Sequence, residues 1–125
     1  MSNQTINLDP SLSRYIQSVT LRESPEMRDL REATLKLDDY MMQIAPEQGQ
    51  FMAFLVRLMG ASRCIEVGTY TGYSALAVAL ALPQAGRLIA CDVSVDFTDV
   101  GKPDRCANRC DQSHQHAPST VYPHP

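Results

Sequence analysis

A chain of 125 residues with a formal net charge of −3 makes at most one domain of ordinary size. Its charge gives no reason to expect nucleic acid, whose binders carry a basic field, and no apolar run nears the roughly 20 residues of a membrane span. The polar start Met1-Ser2-Asn3-Gln4-Thr5 is no signal peptide, so the expected setting is the cytoplasm.

Residues 9–22 read as a helix, with Asp9 or Ser11 as cap and Leu12, Tyr15, Ile16 and Val19 at helical spacing. Ser24-Pro25-Glu26 opens a second helix: serine caps, proline suits the first turn, and glutamate favours the positive end. Met27, Leu30, Ala33, Thr34 and Leu37 share one face of it. The charges around them, Arg28, Arg31, Glu32, Lys36 and Asp38, read as a solvated face. After a short connection at 41–45, Pro46 opens a third helix whose Phe51, Met52, Phe54, Leu55, Leu58 and Met59 predict a broad core-packing face, ended by Gly60.

Residues 63–67 then read as a buried strand, 73–82 as an alanine- and leucine-rich helix, 83–86 as a turn, and 87–92 as a second buried strand. Strand, helix and strand in that order imply parallel pairing through a right-handed crossover. Cys64 and Cys91 fall in the strand patterns, the usual place of small buried hydrophobes rather than redox partners. Between first strand and helix lies Glu66-Val67-Gly68-Thr69-Tyr70-Thr71-Gly72-Tyr73-Ser74. A glycine turn here brings backbone N–H groups and a helix N-terminus toward a polar or anionic ligand without an intervening Cβ. Asp92, ending the second strand, suits the two hydroxyls of a ribose. Each residue also has a plainer reading: Glu66 as a surface acid, Asp92 as a turn-former or cap, Ser74 as an N-cap. A nicotinamide site would want G-x-G-x-x-G, which this loop lacks.

The run from Met41 to Lys102 resembles the class I S-adenosylmethionine-dependent O-methyltransferases of the caffeoyl-CoA and catechol type. The resemblance rests on Pro46-Glu47-Gln48-Gly49-Gln50-Phe51, on Glu66 through Leu76, on Ala79-Leu80-Ala81-Leu82-Pro83, and on Cys91-Asp92. It implies the N-terminal part of an α/β, Rossmann-like domain that binds S-adenosylmethionine (SAM). Glu66 would meet the cofactor's positive charge and Gly68 would let the ligand lie on the backbone. Thr69 and Ser74 would touch the methionine part, Tyr70 and Gly72 would shape the loop, and Asp92 would hold the ribose. Ile44 stands where the family often has a hydroxyl, leaving only an apolar or backbone contact. The resemblance further implies methyl transfer to a catechol-like or hydroxycinnamoyl (acyl-CoA) hydroxyl, a homodimer, and a divalent cation, usually magnesium. Its metal-binding Asp-Ala-Asp-Lys stretch has no counterpart here, and Asp96, Asp99 and Asp104 stand in the wrong context to replace it.

The expected organisation is a helical cap at 1–45, a partial SAM-binding domain at 46–102, and a disordered or out-of-frame tail at 103–125. The tail holds all three histidines and, apart from Val121, no large aliphatic residue, too little apolar surface to order itself. Cys106, Cys110, His114 and His116 have the residue types of a zinc-binding adaptor, but not a common structural spacing. A frameshift explains the tail better: codons for residues 111–116, read one nucleotide later, can encode the strand-like Ile-Asn-Leu-Thr-Asn-Thr. Two parallel strands with helices on them would leave an open edge and an uncovered apolar face. The 125 residues alone are therefore expected to lack catalysis, and a non-catalytic SAM-binding or dimerisation fragment is the alternative.

Overall fold

The computed structural model describes residues 9–101 and the backbone of 119–123. Helix α1 (Pro10–Thr20) starts where the Asp9 carboxylate accepts the N–H groups of Ser11 and Leu12, each at 2.8 Å. It buries no residue, and is moored to the third helix by Gln50, which accepts Arg22 N–H and donates to the Thr20 carbonyl. Helix α2 (Pro25–Thr34) has Ser24 as its cap, accepting Met27 N–H at 3.3 Å. It buries Met27, Leu30 and Thr34 and stops there, so Leu37 lies beyond it. Arg31 departs from the solvated face expected of it, pairing through two nitrogens with both oxygens of Glu23, at 2.8 Å each.

A single 3₁₀ turn at Tyr40–Met42 leads to α3 (Pro46–Met59), which Gly60 ends in the left-handed conformation at φ 62°. The core-packing face expected of α3 is used only in part: Met52 packs on the main core and Leu55 is partly buried, but the rest of that face is turned out. Phe51 and Phe54, stacked at 6.3 Å, are more than half exposed, as are Leu58 and Met59, while Gly49 and Val56 are buried. The cause is the roll of the helix: Gly49 faces the next helix so closely that an added Cβ would lie 3.0 Å from the Tyr73 ring. The small-residue side makes the contact, and the aromatic side is turned out.

Strands β1 (Arg63–Val67) and β2 (Arg87–Cys91) pair in parallel, Arg63 opposite Arg87 and Val67 opposite Cys91. Between them α4 (Tyr73–Ala81) is apolar all round, as a fully buried helix must be, and seven of its nine residues are buried. Ala75, Val78, Ala79, Leu82, Leu88 and Ala90 form the main core with Val56, and partly buried Cys64 packs against it. A second cluster joins Met27 and Leu30 to Tyr73, Leu76 and Ala77. The short helix α5 (Val95–Val100) follows, capped by Ser94.

The helices cover one face of the sheet, so β1 is not the buried strand expected: Ile65 is 73% and Val67 85% exposed. β1 is also an edge strand, as the expected open edge requires. A further difference lies at 119–123, where no regular structure is expected. Ser119–Pro123 runs antiparallel to β2 as β3, Cys91 opposite Ser119. The unpaired backbone along the free side of β2 attracts any extended segment, and Thr-Val-Tyr has high strand propensity.

Candidate functional site

The site begins where the two parallel strands end. Gly68, at φ 87°, donates its N–H to the Cys91 carbonyl at 2.9 Å, and the Thr69 hydroxyl donates to the same oxygen at 3.2 Å. Tyr70 then adopts φ 53°, the one positive φ outside glycine among the described residues. Such a conformation is costly for a bulky side chain and needs outside support. Support comes from two directions: Tyr70 N–H donates to Asp92 Oδ2 at 2.6 Å, and the ring meets Phe97 of α5 edge-on at 4.9 Å. Gly72, at φ 95°, turns the chain into α4.

Asp92 therefore does what its plainer reading says. One carboxylate oxygen takes Tyr70 N–H and the other takes Ser94 N–H, tying the two strand-end loops together. Burial raises its pKa, but the backbone N–H groups of Ser94, Tyr70, Thr69 and Val93 outweigh that and hold the carboxyl below its ordinary range. Only two of these, Tyr70 and Ser94, make close hydrogen bonds to it, against the about four acceptor positions of an ionised carboxylate.

Glu66 is different. Ser74 donates its hydroxyl to Glu66 Oε1, while Oε2 is buried without a hydrogen-bond partner. Burial pushes its pKa up, Ser74 opposes this, and the Asp92 charge adds to it. A half-buried carboxylate with one bare oxygen would be relieved by a cation. Two residues further along the chain, Gly68 faces open space, for an added Cβ would meet nothing within 4 Å.

The loop borders a cleft of about 280 Å³, open to solvent. Gly68, Thr69, Tyr70 and Ser74 line one side, with Thr71 and Tyr73; Met42, Gln43 and Ile44 line the other. Of the expected site residues, those four border the cleft. Glu66 stands behind it through Ser74, Asp92 through Tyr70 N–H, and Gly72 sets the turn beneath. Sequence reasoning missed Met42, Gln43, Thr71 and Tyr73. The first two looked like mere connection between helices, and Tyr73 looked like the helix start alone. Among the described residues no three His, Cys, Asp or Glu side chains converge. Cys106, Cys110, His114 and His116 lie outside the described residues, as does Asp104.

Similar folds are seen in the O-methyltransferase TomG from Streptomyces achromogenes, solved in complex with SAM, at a TM-score of 0.69 and 28% identity over 78% of this chain and 44% of that one. The Podospora anserina methyltransferase PaMTH1 gives a TM-score of 0.73 at 19% identity, over 85% of this chain and 48% of that one, a likeness of fold alone. The fold is thus that of the Rossmann-like methyltransferases. A family model described as O-methyltransferase matches residues 17–114, and the chain belongs to that family. It is 43% identical to mouse catechol O-methyltransferase domain-containing protein 1 over 76% of this chain and 36% of that protein. It is 41% identical to maize caffeoyl-CoA O-methyltransferase 2 over 83% and 39%. The matched segment spans about two fifths of the length of these relatives.

Proposed function

We propose that these residues form the cofactor side of a SAM-dependent O-methyltransferase. The observation that carries the reading is the Glu66 carboxylate, buried at one oxygen without a partner and two residues before the open backbone of Gly68. When bound, SAM supplies a methyl group on a cationic sulfonium. The chain's own part is to meet that cation, and the ammonium of the methionine end, with Glu66. Ser74 holds the carboxylate in place, and Gly68 and Thr69 give the ligand a surface of backbone. Asp92 keeps acceptor positions for the ribose hydroxyls. Ile44 offers an apolar wall.

The relatives are named for caffeoyl-CoA and catechol, and on that ground the acceptor proposed is a catechol-like or hydroxycinnamoyl hydroxyl. The divalent cation implied by the resemblance has no ligand set among the described residues, and no step here runs through it. For a polypeptide of these 125 residues the proposal is cofactor binding without turnover, since among the described residues no metal-ligand set comes together. Its pairing as a homodimer belongs to the same proposal. Titration calorimetry with S-adenosylhomocysteine (SAH), followed by transfer assays with labelled SAM and either catechol or caffeoyl-CoA, tests both parts. Binding of SAH without methyl transfer is expected. Absence of SAH binding would overturn the cofactor reading, and turnover would overturn the claim of inactivity.

A further inference from the structure

Helix α2 meets the loop at 68–72 and the start of α4 through two buried polar links, one on either side of Gly72. Thr34, fully buried, donates its hydroxyl to the Leu30 carbonyl at 2.9 Å and shares a hydrogen bond with the Thr71 hydroxyl at 2.8 Å. Tyr73, 2% exposed, donates its hydroxyl to Glu23 Oε1 at 2.5 Å. Glu23 is in turn gripped by Arg31. The donor and acceptor roles are fixed by charge: Arg31 holds the Glu23 carboxyl below its ordinary range, and burial, with Glu23, pushes the Tyr73 hydroxyl well up. Tyr73 stays a phenol and Glu23 stays a carboxylate.

The start of α4 has no capping side chain of its own, because the cap position is Gly72. A left-handed glycine sets a direction but resists rotation poorly. The next residue, Tyr73, lines the cleft, and the one after it, Ser74, holds Glu66. We propose that Glu23 and Arg31 are positioning residues for the cofactor cleft, fixing the first turn of α4 through Tyr73 and so aligning Ser74 with Glu66. This rests on the cofactor reading above. Neither Glu23 nor Arg31 lines the cleft, so they act at one remove.

A positioning role and plain docking of α2 differ in which part of a ligand feels the loss. Glu23→Gln weakens the grip on Tyr73, and Tyr73→Phe removes the hydroxyl while leaving the Glu23–Arg31 pair whole. The second variant answers if the first fails to fold. Each is titrated with SAH and with methylthioadenosine, which lacks the amino-acid end that Ser74 and Glu66 would face. SAH affinity is expected to fall about tenfold, the usual scale for a hydrogen bond to a charged group, with methylthioadenosine affinity held within about twofold. Equal loss for both ligands, or no loss for either, overturns the proposal. Amide hydrogen exchange without ligand gives a second readout, with faster exchange expected across residues 70–76 in Tyr73→Phe. Unchanged exchange there overturns the positioning role, whereas a wild-type chain that binds no SAH overturns the cofactor reading instead.

Discussion

A carboxylate with one oxygen bonded to Ser74 and the other buried without a partner costs free energy to keep ionised. Glu66 is thus a place where stability and binding pull apart. Its folded-state pKa is raised above 4.5. Below about that pH both folded and unfolded chains hold the proton; as pH rises through the folded value, the folded state gives up a proton it holds more tightly and loses stability. Glu66→Gln should therefore melt higher than wild type near neutral pH, with the gap closing in acid, in thermal scans across the acid-to-neutral range. The same variant should bind SAH more weakly by one to two orders of magnitude, on the scale of a truncated buried charge pair. Gly68→Ala separates backbone strain from ligand contact. No atom crowds its Cβ, so stability should fall only by the roughly 1–2 kcal/mol of a left-handed residue, while SAH binding falls further. At this scale the strand end at Glu66, the turn at Gly68 and the acid after β2 at Asp92 were legible as local features, because a strand, a glycine turn and an acid are local patterns. The Ser74–Glu66 bond, Asp92's hold on Tyr70 N–H, and Glu23's hold on Tyr73 across 50 positions were not, since nothing in local spacing marks a contact made by folding.

Between elements, the loop is held from three sides: by β2 through Cys91 and Asp92, by α2 through Thr34, and by α5 through Phe97. Gly101 completes the last contact, since a Cβ there would overlap the Thr71 carbonyl oxygen. Gly101→Ala should therefore push α5 off the loop and cost about 1–3 kcal/mol, as overpacking does, read from the denaturant midpoint. Loss of the Tyr70–Phe97 contact should follow, visible as a change in tyrosine environment by near-ultraviolet circular dichroism. The elements themselves were largely legible, because caps and terminators are local chemistry: Asp9, Ser24 and Gly60 sit where helices begin or end. The buried face of α3 was legible only in part, through Met52. Periodicity picks out the largest apolar side chains, whereas contact with α4 goes to the side that lets two backbones approach, through Gly49.

Across the whole molecule, one face of the sheet carries Ile65, Val67 and Ile89 toward solvent, and β1 has a free edge. A further apolar stripe on α3 is also exposed. Such surfaces associate. The 125-residue chain should show concentration-dependent association in sedimentation velocity, and Val67→Lys should raise the monomer fraction; a strictly monomeric wild type would contradict this. That uncovered face was foreseeable from two parallel strands with helices on them, but β3 was not, since its partner edge exists only once β2 is in place. Whether the cleft holds the cofactor is decided by calorimetric titration of the chain with SAH. Saturable binding that Glu66→Gln weakens at least tenfold is expected. No binding by a folded wild-type chain, or equal binding by the two, would contradict it.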